Sequence, residues 1–375
     1  MNATRRDVEL ARRGPVDWDV AFYASFLDNG LAGFDVEPLD RGRRWSSRPV
    51  GARLQRARRA LAGEAPAAPD YDVPPIPAPD QSDPGPPPWW RRQGRLAQAI
   101  DVVAPSGGVR GVLSHLRMPV SAARLPWLWS TNGVIPEIWN WRSGPERERV
   151  RDEHVRLHHD IGRRASLIAC WTHYGADHLV EMAGIPAERV RTVVPPFGLS
   201  AAPTAARSEA DEPAAVFIAG LARLKGLGLA LEAHRRLGGF TLHVVGPPPP
   251  PQPPPGTLWH GPLPPSRAAD LLAGSDLLLM PAVYETYGVT YLEAMRAGVP
   301  IVASALGTVT EVVGDAGVLV APGQLDDLVP AVERVLGDPE TRRKLADRGR
   351  QRYLDNFAPD VALRTWEPVF REAFG

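Results

Sequence analysis

One cysteine in 375 residues, Cys170, excludes an intramolecular disulfide framework and any thiolate zinc cage. A reducing, cytoplasmic setting fits that count. Lysine is nearly absent: of 43 basic residues only Lys225 and Lys344 are lysine, so each draws attention. Net charge is absent as well, with Lys+Arg 43 against Asp+Glu 43. No global basic field exists to hold nucleic acid by counterion release. No apolar run approaches the roughly 18 residues of a membrane span, and Met1–Arg13 is charged and lacks the apolar core of a signal peptide. The expectation is a soluble, unexported protein.

What is present is an ordinary globular mix, 44% hydrophobic and 23% charged, in a length that allows about two domains. Proline is in excess at 41 residues, and 21 of them fall in two windows, Pro66–Pro88 and Pro247–Pro265. Proline fixes φ and donates no amide hydrogen bond, so both windows are expected as loops or polyproline segments. Elsewhere short apolar runs alternate with helical patterns. The second half predicts strands at 215–218, 241–245, 277–280, 300–303 and 317–320, with helices at 228–236, 266–273, 289–297, 310–313 and 325–336. Such alternation means parallel βαβ units in a doubly wound sheet. The first half predicts strands near 20–23, 99–103, 125–130, 167–171 and 190–194, and helices near 53–61, 146–161 and 176–183. The small, polar stretch 201–212 reads as a linker. The expected organisation is a first domain over 1–200 with a Pro-rich insertion at 63–91, a second over 213–357, and a crossing tail over 358–375. In the tail, Trp366, Val369, Phe370 and Phe374 recur at helical spacing and form one apolar face.

The stretch Met280-Pro-Ala-Val-Tyr-Glu285-Thr-Tyr-Gly288-Val-Thr-Tyr-Leu-Glu293 carries the chemistry. It leaves a buried strand, turns, and enters a helix whose free amides and dipole suit a diphosphate. Thr286, Tyr287, Gly288 and Val289 lie at that entry, and a glycine at 288 admits a close backbone approach. Glu285 and Glu293 are separated by seven residues. A loop carboxylate there can accept from sugar hydroxyls, and one inside the helix can grip a ribose diol.

Pro281-x3-Glu285-x-Tyr-Gly288-x4-Glu293-Ala-Met-x-Ala-Gly-Val-Pro300 resembles the E-x7-E signature of the retaining glycosyltransferases of family 4, which have the GT-B fold. Ser304-x2-Gly307-x3-Glu311, the turn at Gly317–Gly323, and Gly220-Leu-Ala-Arg223-Leu-Lys225-Gly226 extend the similarity over most of 215–335. The resemblance implies two Rossmann-like α/β domains with parallel sheets and a cleft between them. It also implies transfer of a hexosyl group from a nucleotide-diphosphate sugar to an acceptor hydroxyl, with retention and without a bound metal or other cofactor. By the same resemblance Glu285 contacts the donor sugar, Glu293 binds the ribose, and Arg223 and Lys225 neutralise the diphosphate near Gly220. Charge develops on the departing diphosphate, and losing one well-placed donor there costs on the order of 3 kcal/mol of barrier. Leu221 stands where the family arginine follows the glycine, and Arg223 lies two residues later.

The first half resembles the family at Arg163–Thr172, at Gly184–Pro195 and at Pro126–Gly133, where many members place a histidine against the donor sugar and this chain has Asn132. Asn132 can donate and accept hydrogen bonds but cannot titrate near neutrality. Phe26–Gly30 is the best candidate for a glycine-rich loop, and Ser106–Gly108 reads as a plain turn. Trp127, Trp129, Trp139 and Trp141 read mainly as core, with one or two available to an acceptor cleft. His158-His159-Asp160 reads as a solvated helix face rather than a metal site. Arg53, Arg56, Arg58 and Arg59 allow a weak peripheral membrane contact. The acceptor is open among polysaccharide, glycolipid and small natural product. A catalytically inactive GT-B homologue acting as a partner subunit, and a GT-B nucleotide-sugar epimerase, are the alternative functions.

Overall fold

The computed structural model describes residues 126–140, 143–197 and 212–375, together with three strands farther upstream. The expected strand at 20–23, helix at 53–61, first proline window, both glycine-loop candidates, Trp141 and nearly all of the linker lie outside the described residues.

The first sheet orders its strands as the chain does: β1 (Asp35–Pro38), β2 (Ala99–Val103), β3 (Val109–His115), β4 (Trp127–Thr131), β5 (Leu167–Cys170) and β6 (Val190–Thr192). From β3 to β6 the pairing is parallel, whereas β1–β2 and β2–β3 pair antiparallel. The parallel core β3–β6 fits the expected α/β domain, and the antiparallel edge is an addition to it. Helices α1 (Glu137–Asn140) and α2 (Gly144–Gly162) join β4 to β5, and α3 (His173–Glu181) joins β5 to β6. Helix α3 starts three residues before the apolar pattern does. The Thr172 hydroxyl caps it by accepting from the Gly175 amide at 3.0 Å, so polar residues open the helix.

The second sheet is parallel throughout, with strand order β12-β11-β10-β7-β8-β9. Its strands are β7 (Ala214–Ile218), β8 (Thr241–Val245), β9 (Thr257–Gly261), β10 (Leu277–Met280), β11 (Ile301–Ser304) and β12 (Gly317–Val320). The helices are α4 (Leu227–Leu237), α5 (Pro265–Ala273), α6 (Val289–Ala297), α7 (Gly307–Val313), α8 (Leu325–Gly337), α9 (Pro339–Asn356) and α10 (Pro359–Phe374). Strands β10 and β11 are buried at every position, as sheets covered on both faces require. Strand β9 is a correction to the all-loop reading of the second proline window. It occupies a proline-free run inside that window and sits at the sheet edge with alternating exposure.

Strand order reverses between β7 and β10, so the loops leaving their carboxyl ends open a crevice there. Helix α10 returns to the first sheet, lying against β3 and β5. Trp366 and Phe370 are fully buried with their rings edge to face, and the Trp366 indole donates to the Val194 carbonyl at 2.8 Å. Burial of each such ring stabilises by about 1.5–3 kcal/mol. The exposed Arg191–Glu372 pair at 2.6 Å adds at most about 1 kcal/mol.

Candidate functional site

Two loops meet at the strand-order reversal. Residues 219–226 leave β7 and residues 281–288 leave β10. They are bonded to each other: the Val283 and Tyr284 amides both donate to the Leu224 carbonyl, at 2.9 and 3.3 Å. Gly226 has φ +80°, and a Cβ there would stand 2.0 Å from the Pro281 carbonyl oxygen, so only glycine permits this approach.

That contact brings Lys225 to Glu285. The ammonium lies 2.8 Å from Glu285 Oε2 and donates to the Tyr284 carbonyl at 3.1 Å. Glu285 Oε1 accepts from the Thr286 amide at 2.9 Å. Glu285 is 5% exposed, so its charge is desolvated but matched by both a cation and an amide. The Thr308 hydroxyl fixes the backbone of the same residue by donating to the Glu285 carbonyl at 3.1 Å.

Gly288, with φ +96°, is the N-cap residue of α6. Its glycine has a packing reason that the sequence did not show: a Cβ there would fall 2.3 Å from the Tyr291 ring. That ring is buried, and its hydroxyl donates to the Met280 carbonyl at 3.3 Å, which pins α6 to the end of β10. Val289 and Thr290 then present the first amides of α6 to the loop. Glu293 follows one turn inside the helix, and burial pushes its carboxyl up to about 7, with Arg296 opposing the shift.

The remaining expected residues are spread more widely. Gly220 and Arg223 are exposed on the β7 loop. The Tyr287 side chain is buried and packs its ring 5.7 Å from Trp171 and 5.9 Å from Phe197, residues of the first half. Asn132 follows β4, and its Oδ1 is buried without a hydrogen-bond partner among the described residues. Its carbonyl backs onto Gly175, where a Cβ would approach to 2.0 Å.

Trp127, Trp129 and Trp139 are core residues, each 3% exposed or less. His158 corrects the solvated-face reading. It is buried, hydrogen-bonded through Nδ1 to the His154 carbonyl at 2.8 Å, and its ring lies 5.7 Å from that of Trp129. His154 sits against Trp139 in the same way, and burial holds both imidazoles well below their usual range. A charged helix hid an inward face at four-residue spacing.

Sequence reasoning missed Glu137, the buried first residue of α1. Its Oε1 accepts from the Tyr174 hydroxyl at 2.9 Å and from the Gly307 amide at 3.2 Å. Nothing in the local pattern marked it, because its partners are 37 and 170 positions away.

Residues 203–352 match the sequence model of the family described as Glycosyl transferases group 1. An MMP alpha-(1->4)-mannosyltransferase of Mycolicibacterium hassiacum is 40% identical over 101 residues, 26% of this chain and 25% of that protein. A 2-deoxystreptamine glucosyltransferase of Streptomyces kanamyceticus is 36% identical over 115 residues, 29% and 30% of the two chains. The matches thus span about a quarter to a third of those relatives' lengths. Sucrose-phosphate synthase from Thermosynechococcus elongatus superimposes with a TM-score of 0.56 at 20% identity, over 67% of this chain and 68% of that one. WaaG, a glycosyltransferase involved in lipopolysaccharide biosynthesis, superimposes with a TM-score of 0.53 at 17% identity, over 66% and 78%. The architecture is the GT-B fold.

Proposed function

We propose that the chain is a glycosyltransferase that moves a hexosyl group from a nucleotide-diphosphate sugar to an acceptor hydroxyl, with retention at the anomeric carbon. The observation that carries this reading is the Lys225–Glu285 pair, clamped by two bonded loops at the strand-order reversal beside the N-terminus of α6. A diphosphate placed there meets an ammonium and helix amides, which stabilise the charge that develops as the glycosidic bond breaks. Arg223 on the neighbouring loop adds a second cation. Glu293 accepts from the ribose diol, and Glu285, held rigid by its amide and lysine partners, orients the sugar. Asn132 offers a neutral carbonyl to a sugar hydroxyl from the facing sheet. These side chains do their work without a bound metal.

Retention rests on the resemblance of Glu285-x7-Glu293 to the family signature. The matched relatives use mannosyl and glucosyl donors by name, which supports a hexose. Acceptor choice belongs to the first half, outside the matched residues, and polysaccharide, glycolipid and small natural product are its classes. No helix among the described residues is long and apolar enough to cross a membrane. The proposal places the chain in the cytoplasm with at most peripheral membrane contact.

The test is turnover of a panel of nucleotide sugars, reading released nucleoside diphosphate and the anomeric configuration of any product. Hydrolysis or transfer abolished by Glu285→Ala supports the reading. Interconversion of the donor without acceptor would identify an epimerase instead. Absence of turnover and of any thermal shift with every donor would leave a non-catalytic partner subunit.

A further inference from the structure

Helix α3 belongs to the first sheet and α7 to the second, yet each has the start of its helix closed by a carboxylate from the other half. Glu311 of α7 accepts from the His173 amide through Oε1 at 2.8 Å and from the Tyr174 amide through Oε2 at 3.0 Å. Together with the Thr172 hydroxyl on Gly175, this satisfies the first three amides of α3. In return Glu137, at the start of α1, accepts from the Gly307 amide, the first of α7. Tyr174 stands at the centre. Its amide is held by Glu311 and its hydroxyl by Glu137, and its ring lies so close to Gly307 that a Cβ there would approach it to 2.2 Å.

We infer that Glu137 and Glu311 form an exchanged pair of helix caps that latches the two halves together, and that Glu137 thereby positions Glu285. The second part rests on the donor-site reading above; the latch does not. Opening the cleft strips three amides of their acceptors and leaves two carboxylates without these donors, so the closed arrangement is favoured while all five groups are matched. The route to the donor loop is short. Glu137 holds the Gly307 amide, and the next residue, Thr308, donates to the Glu285 carbonyl. Glu137 is 8% exposed, and its Oε2 has no hydrogen-bond partner among the described residues. A buried carboxylate held on one oxygen is suited to a contact that is made and released.

Gly307→Ala provides the sharpest test. Residue 307 starts α7 without a positive φ, so alanine suits the helix itself, and the nearest atoms its methyl would meet are those of the Tyr174 ring across the cleft. Tyr174→Phe and Glu137→Gln remove parts of the latch more gently. The first readout is hydrogen exchange at the amides of 173, 174 and 307, with the distance between labels placed by Arg149→Cys and Arg334→Cys. Gly307→Ala should speed exchange at those amides about tenfold or more and lengthen the distance. Unchanged exchange and distance in Gly307→Ala would overturn the latch. The second readout is kinetic: Glu137→Ala should lower kcat about tenfold with donor KM little changed, and Glu137→Gln should recover part of it. A faster-exchanging variant with unaltered kcat would refute the positioning role. If the native chain turns over no donor, the glycosyltransferase reading fails, and the exchange measurement still decides the latch.

Discussion

The β10–α6 loop of the second sheet and the β4–α1 loop of the first are built on opposite terms. The β10–α6 loop carries full charges that are matched: Glu285 meets Lys225 and its neighbour's amide, and Gly226 and Gly288 let the backbone close around them. The β4–α1 loop carries no charge matched within itself. Among the described residues Asn132 keeps a buried Oδ1 without a partner, and Glu137 keeps one open oxygen. Closed circuits give rigidity, whereas on the proposed function the open Asn132 acceptor awaits a donor from the ligand. On that proposal the second half acts as a preset holder for the departing group, and the first half as a surface completed by what binds to it.

The largest effects should follow from breaking the matched loop. Glu285→Ala strands the Lys225 charge and should lower turnover about a hundredfold or more, measured as released nucleoside diphosphate. Lys225→Ala should cost about as much. The double variant should cost clearly less than the product of the two, since both act through one contact. Additive losses would separate the pair and end the comparison in its present form.

Glu293 offers an intermediate effect with a pH signature. Its carboxyl is raised to about 7 by burial, and in the proposed role it must be ionised to accept two ribose hydroxyls. Donor-sugar affinity should therefore rise about tenfold from pH 6 to pH 8, and Glu293→Gln should flatten that profile. Stability runs the other way. A carboxyl raised in the folded state leaves the native form unpenalised below the unfolded value near 4.5. The penalty grows as pH rises through that value and is complete above about 7. Glu293→Gln should accordingly gain about 1–2 kcal/mol at pH 8 and nothing at pH 4, read by thermal unfolding.

The smallest effects belong to the open loop. Asn132→Ala removes a carbonyl that bonds to nothing else among the described residues. It should lower kcat/KM about fivefold with no loss of Tm. A Tm drop would place Asn132 in the structure of the loop instead of at the ligand. Arg223→Ala, at an exposed side chain, should raise donor KM severalfold and do so less at high salt, where screening already weakens the contact.

Legibility followed the same division. Strands β8, β10 and β12 and helix α6 fall at their expected residues, because apolar runs flanked by Gly and Pro mark a sheet covered on both faces. Strand β3 escaped notice, since Val-Arg-Gly-Val-Leu-Ser-His mixes polar residues into a strand paired antiparallel on one side. Trp259 and Leu258 were passed over inside a proline-rich window although they form the edge strand β9. The inward His154 and His158 were masked by the charges around them.

The sequence alone determined five of the six strands of the second sheet, the loop that turns at Gly288, and the apolar face by which Trp366 and Phe370 seek a surface. Those features are local: periodicity, a positive φ and a helix start are written within a dozen residues. Tertiary structure alone decided that Lys225 reaches Glu285 and that Tyr287 faces Trp171. It alone decided that Glu137 and Glu311 exchange helix caps across 137 to 170 positions of chain. Pairings at that separation depend on how two sheets dock, and no period in the chain encodes the distance between them.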